Sequence, residues 1–298
     1  MGRREWMALA PLLAAIFWGG MYVVSKWGFG SIPPVTLAFF RVTLGAAVLG
    51  VVVKIRYPQR QFSRQDWLSF TFLGVWVALT MATQFVGTDL TTASEGALIT
   101  VLTPVFTVFL AALVLGERLT PIKTAGMAVA LVGTVIVLAG QYDLRTIGTG
   151  SGIGISLLVV ASVGWAAYTV WGKPLIRQYS ALETATYSTV LAVPMLAVFV
   201  PLELSVRDVA VSSLSFTPPV LAAIVYLGVV STAAAWYCWY KGLEYVSAGT
   251  VAVYFFVQPI VGAALGSLLL GDSIGLGFVV GGVVMAVGMY LVSTKSAT

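Results

Sequence analysis

Apolar residues dominate this chain in ten runs, at 7–27, 33–53, 67–87, 92–115, 121–140, 153–173, 182–203, 219–241, 246–269 and 275–293. Each is near the twenty residues a helix needs to cross a bilayer. Charged and polar residues collect in the short gaps between them. Within a run the apolar positions are continuous, whereas a membrane barrel alternates over about ten residues. The pattern predicts an all-α integral membrane protein with ten transmembrane helices. Pro33-Pro34, Pro121 and Pro218-Pro219 open the second, fifth and eighth runs, where a first-turn proline removes no helical hydrogen bond.

The runs repeat. The stretch from Glu95 to Glu117 has an echo 155 positions later, from Thr250 to Asp272, with Pro104 falling on Pro259, Gly116 on Gly271 and Glu117 on Asp272. Each copy is an apolar run broken by a proline and stopped by a Gly-acid pair. Trp18 and Lys26 match Trp165 and Lys173, Leu73-Gly74-Val75 matches Leu227-Gly228-Val229, and Gly87 falls on Gly242. The predicted organisation is therefore a first five-helix repeat at 1–140, an outer linker at 141–152 and a second repeat at 153–298. Five is odd, so the second repeat sits upside down relative to the first. Such inverted repeats give two packings of similar energy, which is the basis of alternating access around a midplane site.

Charge adds an orientation. With the N-terminus inside, twelve basic residues lie on the cytoplasmic side (among them Lys54, Arg56, Arg60 and Arg64), against Lys26, Arg145 and Arg207 outside. This bias places both termini in the cytoplasm. The net charge of +5 follows from those loops and does not call for nucleic acid. The opening Met1–Trp6 before an apolar run resembles a signal peptide, but the run is too long for one and reads as an uncleaved first span.

Composition narrows the chemistry. The chain is 59% apolar and 9% charged, with mean hydropathy +0.98, outside the range of soluble domains. It has no histidine and one cysteine, Cys238. A His-based triad, a Cys or His metal site and an intramolecular disulfide are excluded. The linker glycines fit neither a dinucleotide fingerprint nor a P-loop, so no cofactor and no ATP-binding subunit are expected. An intramembrane hydrolase has no nucleophile–base pair to work with, and a channel does not need two interconverting states.

Several of these residues resemble a known family. Arg41 after Pro33–Phe40, Thr103-Pro104, and Leu115–Thr120 (LGERLT) with Gly126 and Gly133 downstream resemble the drug/metabolite transporter superfamily, and within it the ten-span exporters of the EamA type. The resemblance covers both halves. The opening Phe17–Phe29 and the aromatic-rich sixth and eighth runs are similar to the aromatic amino acid exporters of that superfamily, associated with Phe, Tyr, Trp and methyl viologen. It implies a cavity among the first, third, fourth, sixth, eighth and ninth spans, and no enzymatic activity.

The candidate site residues are the charges and mid-span aromatics. A charge at the centre of a membrane helix costs about 2.5–3.5 kcal/mol on insertion scales. Glu95 reads as a contact for a substrate ammonium or as a proton-coupling carboxylate, and Arg41 as a partner for a carboxylate; a structural ion pair or a snorkelling arginine competes with these readings. Trp18 and Tyr22 share a face of the first span, as do Trp165 and Tyr168 of its twin. Thr80 and Gln84 lie on one stripe with Trp76 and Thr83; the eighth span adds Trp236, Trp239 and Tyr240, the ninth Tyr254 and Gln258. An aromatic-lined cavity suits flat rings by stacking and cations by cation–π attraction. Pro104 and Pro259 are expected to kink their spans and serve as gating points. Lys26 and Lys173 are expected to snorkel, and Glu117 and Asp272 to cap or shape loops. Gly277 and Gly281 are spaced for close helix contact, within the chain or across a homodimer.

The expected function is a secondary transporter in a bacterial inner membrane, exporting small organic solutes by alternating access. Aromatic and other neutral amino acids are the favoured cargo, with cationic drugs or other metabolites as alternatives.

Overall fold

A computed structural model describes residues 7, 9–57, 60–91, 96, 99–141, 151–270 and 275–294. Among these the chain is helical, with no strand. Five segments are long and apolar enough to cross a membrane: Pro34–Arg56, Arg64–Leu90, Gly152–Gln178, Ala181–Val206 and Pro218–Leu243. Shorter apolar helices accompany them. The linker residues 142–150, Glu95, Gly271 and Asp272 lie outside the described residues.

In chain order the helices are α1 (Ala10–Gly19), α2 (Met21–Gly28), α3 (Pro34–Arg56), α4 (Arg64–Leu90), α5 (Thr103–Leu115), α6 (Pro121–Gln141) and α7 (Gly152–Gln178). They continue with α8 (Ala181–Val206), α9 (Pro218–Val225), α10 (Ala235–Leu243), α11 (Ala248–Val253), α12 (Val257–Leu270) and α13 (Leu276–Thr294). A π-helical segment, Tyr226–Ala234, joins α9 to α10, and a 3₁₀ turn, Tyr254–Phe256, joins α11 to α12.

Local chemistry explains the boundaries. Ser63 caps α4 in a reciprocal box with Asp66, and Ser151, Ser180 and Ser247 accept from the third amide of the helix each one opens. These side chains satisfy amides that the helix leaves without partners. Gly116 ends α5 with φ 66°, a left-handed conformation that costs a glycine little, so Glu117 turns off the helix axis.

Besides the eighth run, with its π-helical segment, three apolar runs are interrupted at turns among the described residues. The first breaks at Gly19-Gly20, where a Cβ on Gly19 would come 2.4 Å from Val261 Cγ1; α1 and α12 touch too closely there for any side chain. The fourth breaks at Val101-Leu102 and the ninth at Tyr254–Phe256. Pro104 therefore sits in the first turn of α5 rather than in the middle of a helix. Pro259 is likewise the third residue of α12. Each lies where the helix amides have no intrahelical acceptor, so the prolines restart helices after a break.

The helices pack as α6 on α13, α4 on α7, α3 on α8 and the π segment, and α1 on α10 and α12. Glycines set the closest approaches. A Cβ on Gly126 would lie 2.8 Å from the Gly288 carbonyl oxygen, and one on Gly133 2.7 Å from that of Gly281. Gly281 thus makes its close contact within the chain. On other helix pairs Gly74 meets Leu191 and Gly228 meets Leu44, while Gly87 meets Leu158 and Gly242 meets Pro11. The main core gathers Trp18, Trp165, Trp236, Trp239, Tyr168, Tyr240 and Phe255.

Aromatic and polar contacts tie each end of the bundle. At one, Phe62 packs on Tyr179 and Tyr187, and Lys173 pairs with Glu117 at 2.8 Å. At the other, Arg207 pairs with Asp89 at 2.7 Å, and Glu203 accepts the Val35 and Thr36 amides at 2.8 Å each. The two lysines expected to snorkel are both engaged. Lys26 donates to the carbonyls of Thr88, Asp89 and Thr91 at 2.6–3.0 Å, completing the C-terminus of α4. Lys173 is held by the Glu117 carboxylate, which also accepts the Ala248 and Gly249 amides at 2.8 and 3.2 Å. Glu117 has the capping role expected of it.

Candidate functional site

A cavity lies at the centre of this packing, lined by residues of α1, α2, α3, α4, α5, α7, α10 and the turns near Thr100, Phe255 and Gln258. Trp18, Arg41, Thr80, Gln84 and Trp165, read from the sequence as site residues, all line it. Its volume is about 30 Å³, room for water but about tenfold below an ordinary ligand pocket of at least ~300 Å³. The described conformation leaves no room in it for an amino acid.

Trp18, Trp165, Trp236 and Phe255 form its aromatic wall. Trp18 meets Trp165 edge-on at 5.2 Å and lies 5.3 Å from both Trp239 and Phe255. Each contact falls in the range where ring quadrupoles attract. Trp239 is fixed by its Nε1–H donating to Thr169 Oγ1 at 3.0 Å, a layer behind the cavity. Tyr168 is behind it too, stacked on Tyr240 at 4.7 Å and sharing a hydrogen bond with Ser188 at 3.1 Å. Tyr22 orients two lining residues, donating to Thr100 Oγ1 at 2.7 Å and accepting from Gln84 Nε2 at 2.9 Å.

Arg41 supplies the charge. It is 1% exposed, so its guanidinium does not reach the interface as a snorkelling side chain would. Nε donates to Thr232 Oγ1 at 2.8 Å, one terminal nitrogen to the Ser231 carbonyl at 3.1 Å and the other to Met21 Sδ at 2.9 Å. The guanidinium carbon lies 5.5 Å from the Phe85 ring centre. Among the described residues no carboxylate comes within ion-pair distance of it. Its neighbours are neutral oxygens, a sulfur and an aromatic face.

The segment that holds Arg41 is the π-helical one. Widening the turn to i→i+5 frees backbone groups. The Ser231 carbonyl accepts Trp18 Nε1–H at 2.7 Å as well as Arg41, and Phe17's carbonyl accepts the hydroxyls of Tyr226 and Ser231. One irregular turn therefore fixes both the cation and the central tryptophan.

The cavity also holds polar groups without partners among the described residues. Thr80 Oγ1, Trp165 Nε1, Trp236 Nε1 and Gln258 Nε2 are buried and make no hydrogen bond among the described residues, and all four residues line this space. An unsatisfied buried donor costs about 1–3 kcal/mol, so a native structure that keeps several in one place calls for an explanation. Three are N–H donors lying with Arg41, an arrangement suited to an anionic group.

The sequence-read residues divide accordingly. Trp18, Arg41, Thr80, Gln84 and Trp165 converge on the cavity; Tyr22, Tyr168 and Trp239 support it from behind. Tyr254 does not line it, because the 3₁₀ turn directs Phe255 inward instead. Glu95 lies outside the described residues. Met21, Thr103, Ser162 and Phe255 line the cavity without having been singled out. Thr103 and Gln258 carried a signal, each standing just before one of the repeated prolines.

Comparison with known proteins gives this geometry its context. A crystal structure aligns over 99% of both chains with a TM-score of 0.78 at 19% identity, a likeness of fold. An uncharacterized transporter of Archaeoglobus fulgidus is 27% identical, covering 95% of this chain and 96% of its own. A probable amino-acid metabolite efflux pump of Salmonella typhimurium is 25% identical over 98% and 95%. A probable terminal-alkyne amino-acid exporter of Streptantibioticus cattleyicolor is 30% identical over 68% of this chain and 65% of its own. The EamA-like transporter family matches residues 5–139 and 152–294. With nearly its whole length accounted for in this way, the chain belongs to the EamA-like transporter family and is a membrane transporter, not an enzyme.

Proposed function

We propose that this transporter exports aromatic and other neutral amino acids by alternating access across a bacterial inner membrane. In this reading both termini are cytoplasmic, and the cargo sits between two inverted five-helix repeats, 1–140 and 153–298. The observation that carries the cargo assignment is Arg41. A guanidinium buried without a carboxylate among the described residues, beside three unsatisfied N–H donors, favours a ligand that brings its own negative charge. The α-carboxylate of an amino acid is such a group, and the rings of Trp18, Trp165 and Phe255 offer an apolar, stacking environment for an aromatic side chain. A buried cation disfavours a cationic drug at the same place. Two of the relatives named above are by name a probable terminal-alkyne amino-acid exporter and a probable amino-acid metabolite efflux pump, which agrees with this cargo.

The inverted repeat is supported by reciprocity in the packing. Gly281 and Gly288 follow Gly126 and Gly133 by 155 positions, and the close contacts are Gly126 with Gly288 and Gly133 with Gly281. The pairs Gly74·Leu191 and Gly228·Leu44, and Gly87·Leu158 and Gly242·Pro11, exchange in the same way. Crosswise contact of this kind is what a two-fold axis between equivalent units produces. The small closed cavity then corresponds to one stage of a cycle, and an amino acid enters only when the halves rock apart.

Radiolabelled phenylalanine counterflow in proteoliposomes tests the proposal, with and without a pH gradient, using wild type, Arg41→Met and Glu95→Gln. Phenylalanine exchange that is lost in Arg41→Met supports the cargo and the role of the cation. Gradient-driven accumulation lost in Glu95→Gln would make Glu95 the coupling carboxylate. Absence of phenylalanine flux from folded wild-type protein sinks the aromatic-exporter reading.

A further inference from the structure

A second concavity of about 480 Å³ opens on the flank of the bundle, far larger than the central cavity. Its walls are Val48 and Val52 of α3, Leu182 of α8, Val229 and Ala234 of the π segment, and Tyr237 of α10. The surface around it is apolar, with Val51, Ile55 and Val225 more than half exposed. In a membrane transporter such a face meets hydrocarbon. Arg56 stands at one end of the groove beside Tyr57. Among the described residues it has no carboxylate partner, whereas neighbouring Arg60 is engaged by Tyr179 at 5.6 Å and Glu183 at 3.9 Å.

We propose that this groove is a binding site for an anionic phospholipid, with an acyl chain along the α3–π segment wall and the phosphate on Arg56. The end that carries Arg56 also carries Lys54, Arg60 and Arg64, and basic pockets between membrane helices bind anionic headgroups. An apolar slot ending in a guanidinium without a carboxylate partner among the described residues complements a lipid in both shape and charge. The π segment contributes Val229, Ala233 and Ala234 to the groove and gives Ser231 and Thr232 to Arg41 on its other side. A lipid seated here packs against the outside of the element that holds the central cation.

Native mass spectrometry of the intact protein tests this, after incubation with phosphatidylglycerol or phosphatidylcholine, on wild type, Arg56→Gln and Val52→Trp. The expected result is selective retention of phosphatidylglycerol by wild type. Retention should fall about fivefold in Arg56→Gln, the worth of one basic residue near an anionic surface, and be lost in Val52→Trp, where the indole fills the slot. Phosphatidylglycerol should also raise the melting temperature of wild type more than that of Arg56→Gln, and leave that of Val52→Trp unchanged. Equal retention of phosphatidylcholine, or wild-type retention of phosphatidylglycerol by Arg56→Gln, overturns the proposal. Arg56 is an exposed side chain, so its variant keeps the test valid should Val52→Trp fail to fold. The site is separate from the central cavity, and the outcome does not depend on the cargo.

Discussion

Arg41 Nε donates to Thr232 Oγ1 at 2.8 Å, so the buried cation is held by a π-helical turn and not by a carboxylate among the described residues. Removing it leaves no orphan behind. Thr232 Oγ1 donates to the Leu227 carbonyl at 2.8 Å, and the Ser231 carbonyl keeps Trp18 at 2.7 Å. A buried ion carries a desolvation penalty of several kcal/mol, which an apolar side chain of similar length does not. Arg41→Met is expected to keep or raise the melting temperature while amino-acid transport falls more than about tenfold, the worth of one charge-assisted contact. Normal transport in this variant would remove Arg41 from cargo binding.

The Glu117–Lys173 pair gives a pH dependence. Burial pushes the Glu117 carboxyl up, but the hydrogen bond and charge of Lys173 and the amides of Ala248 and Gly249 outweigh it and leave it below its ordinary value. A depressed carboxylate contributes stability that is complete above its unfolded value, near 4.5, and is lost as pH falls through its folded value. Thermal unfolding scanned from pH 7 down to pH 3 should show that loss in wild type. Glu117→Gln should flatten the contribution; an unchanged profile would mean that the pair is thermodynamically idle.

Helix α6 against α13 is the closest backbone contact described. A Cβ on Gly133 would stand 2.5 Å from the Met285 amide nitrogen, whereas one on Gly282, a residue away from the contact stripe, meets nothing within 4 Å. Gly133→Val is expected to cost about 1–3 kcal/mol or more by forcing the helices apart. Gly282→Ala should be neutral or gain up to about 1 kcal/mol from helix propensity. Melting temperatures of the two variants in one detergent make the comparison.

Ser162 lines the closed cavity and donates to its own helix at Leu158, 3.0 Å away. In a Cys238→Ser background, Ser162→Cys should react with a small thiol reagent on the order of a hundredfold more slowly than a cysteine at exposed Gln61, reflecting an open population of about 1%. Labelling at equal rates would show that the cavity is open most of the time.

The positions of the apolar runs and the Gly116-Glu117 stop were legible along the chain, because bilayer-length hydrophobicity and turn chemistry are local properties; the breaks at Gly19-Gly20, Val101-Leu102 and Tyr254–Phe256 were not. So was the intramembrane cost of Arg41, which marked it without its surroundings. The direction each residue faces was not local. In a membrane helix the protein interior and the lipid are both apolar, so hydropathy does not distinguish Trp18, at the centre of the core, from Trp27, which is 52% exposed. Rotation of each helix about its axis is set by which glycines let neighbours approach and by where the helix breaks. The 3₁₀ turn brought in Phe255 and left Tyr254 out; the π turn gave Arg41 and Trp18 one shared carbonyl at Ser231. The sequence by itself determined which segments are apolar and helical. Only the tertiary structure decided which side chains converge on the cavity, because that choice depends on contacts between segments more than a hundred residues apart.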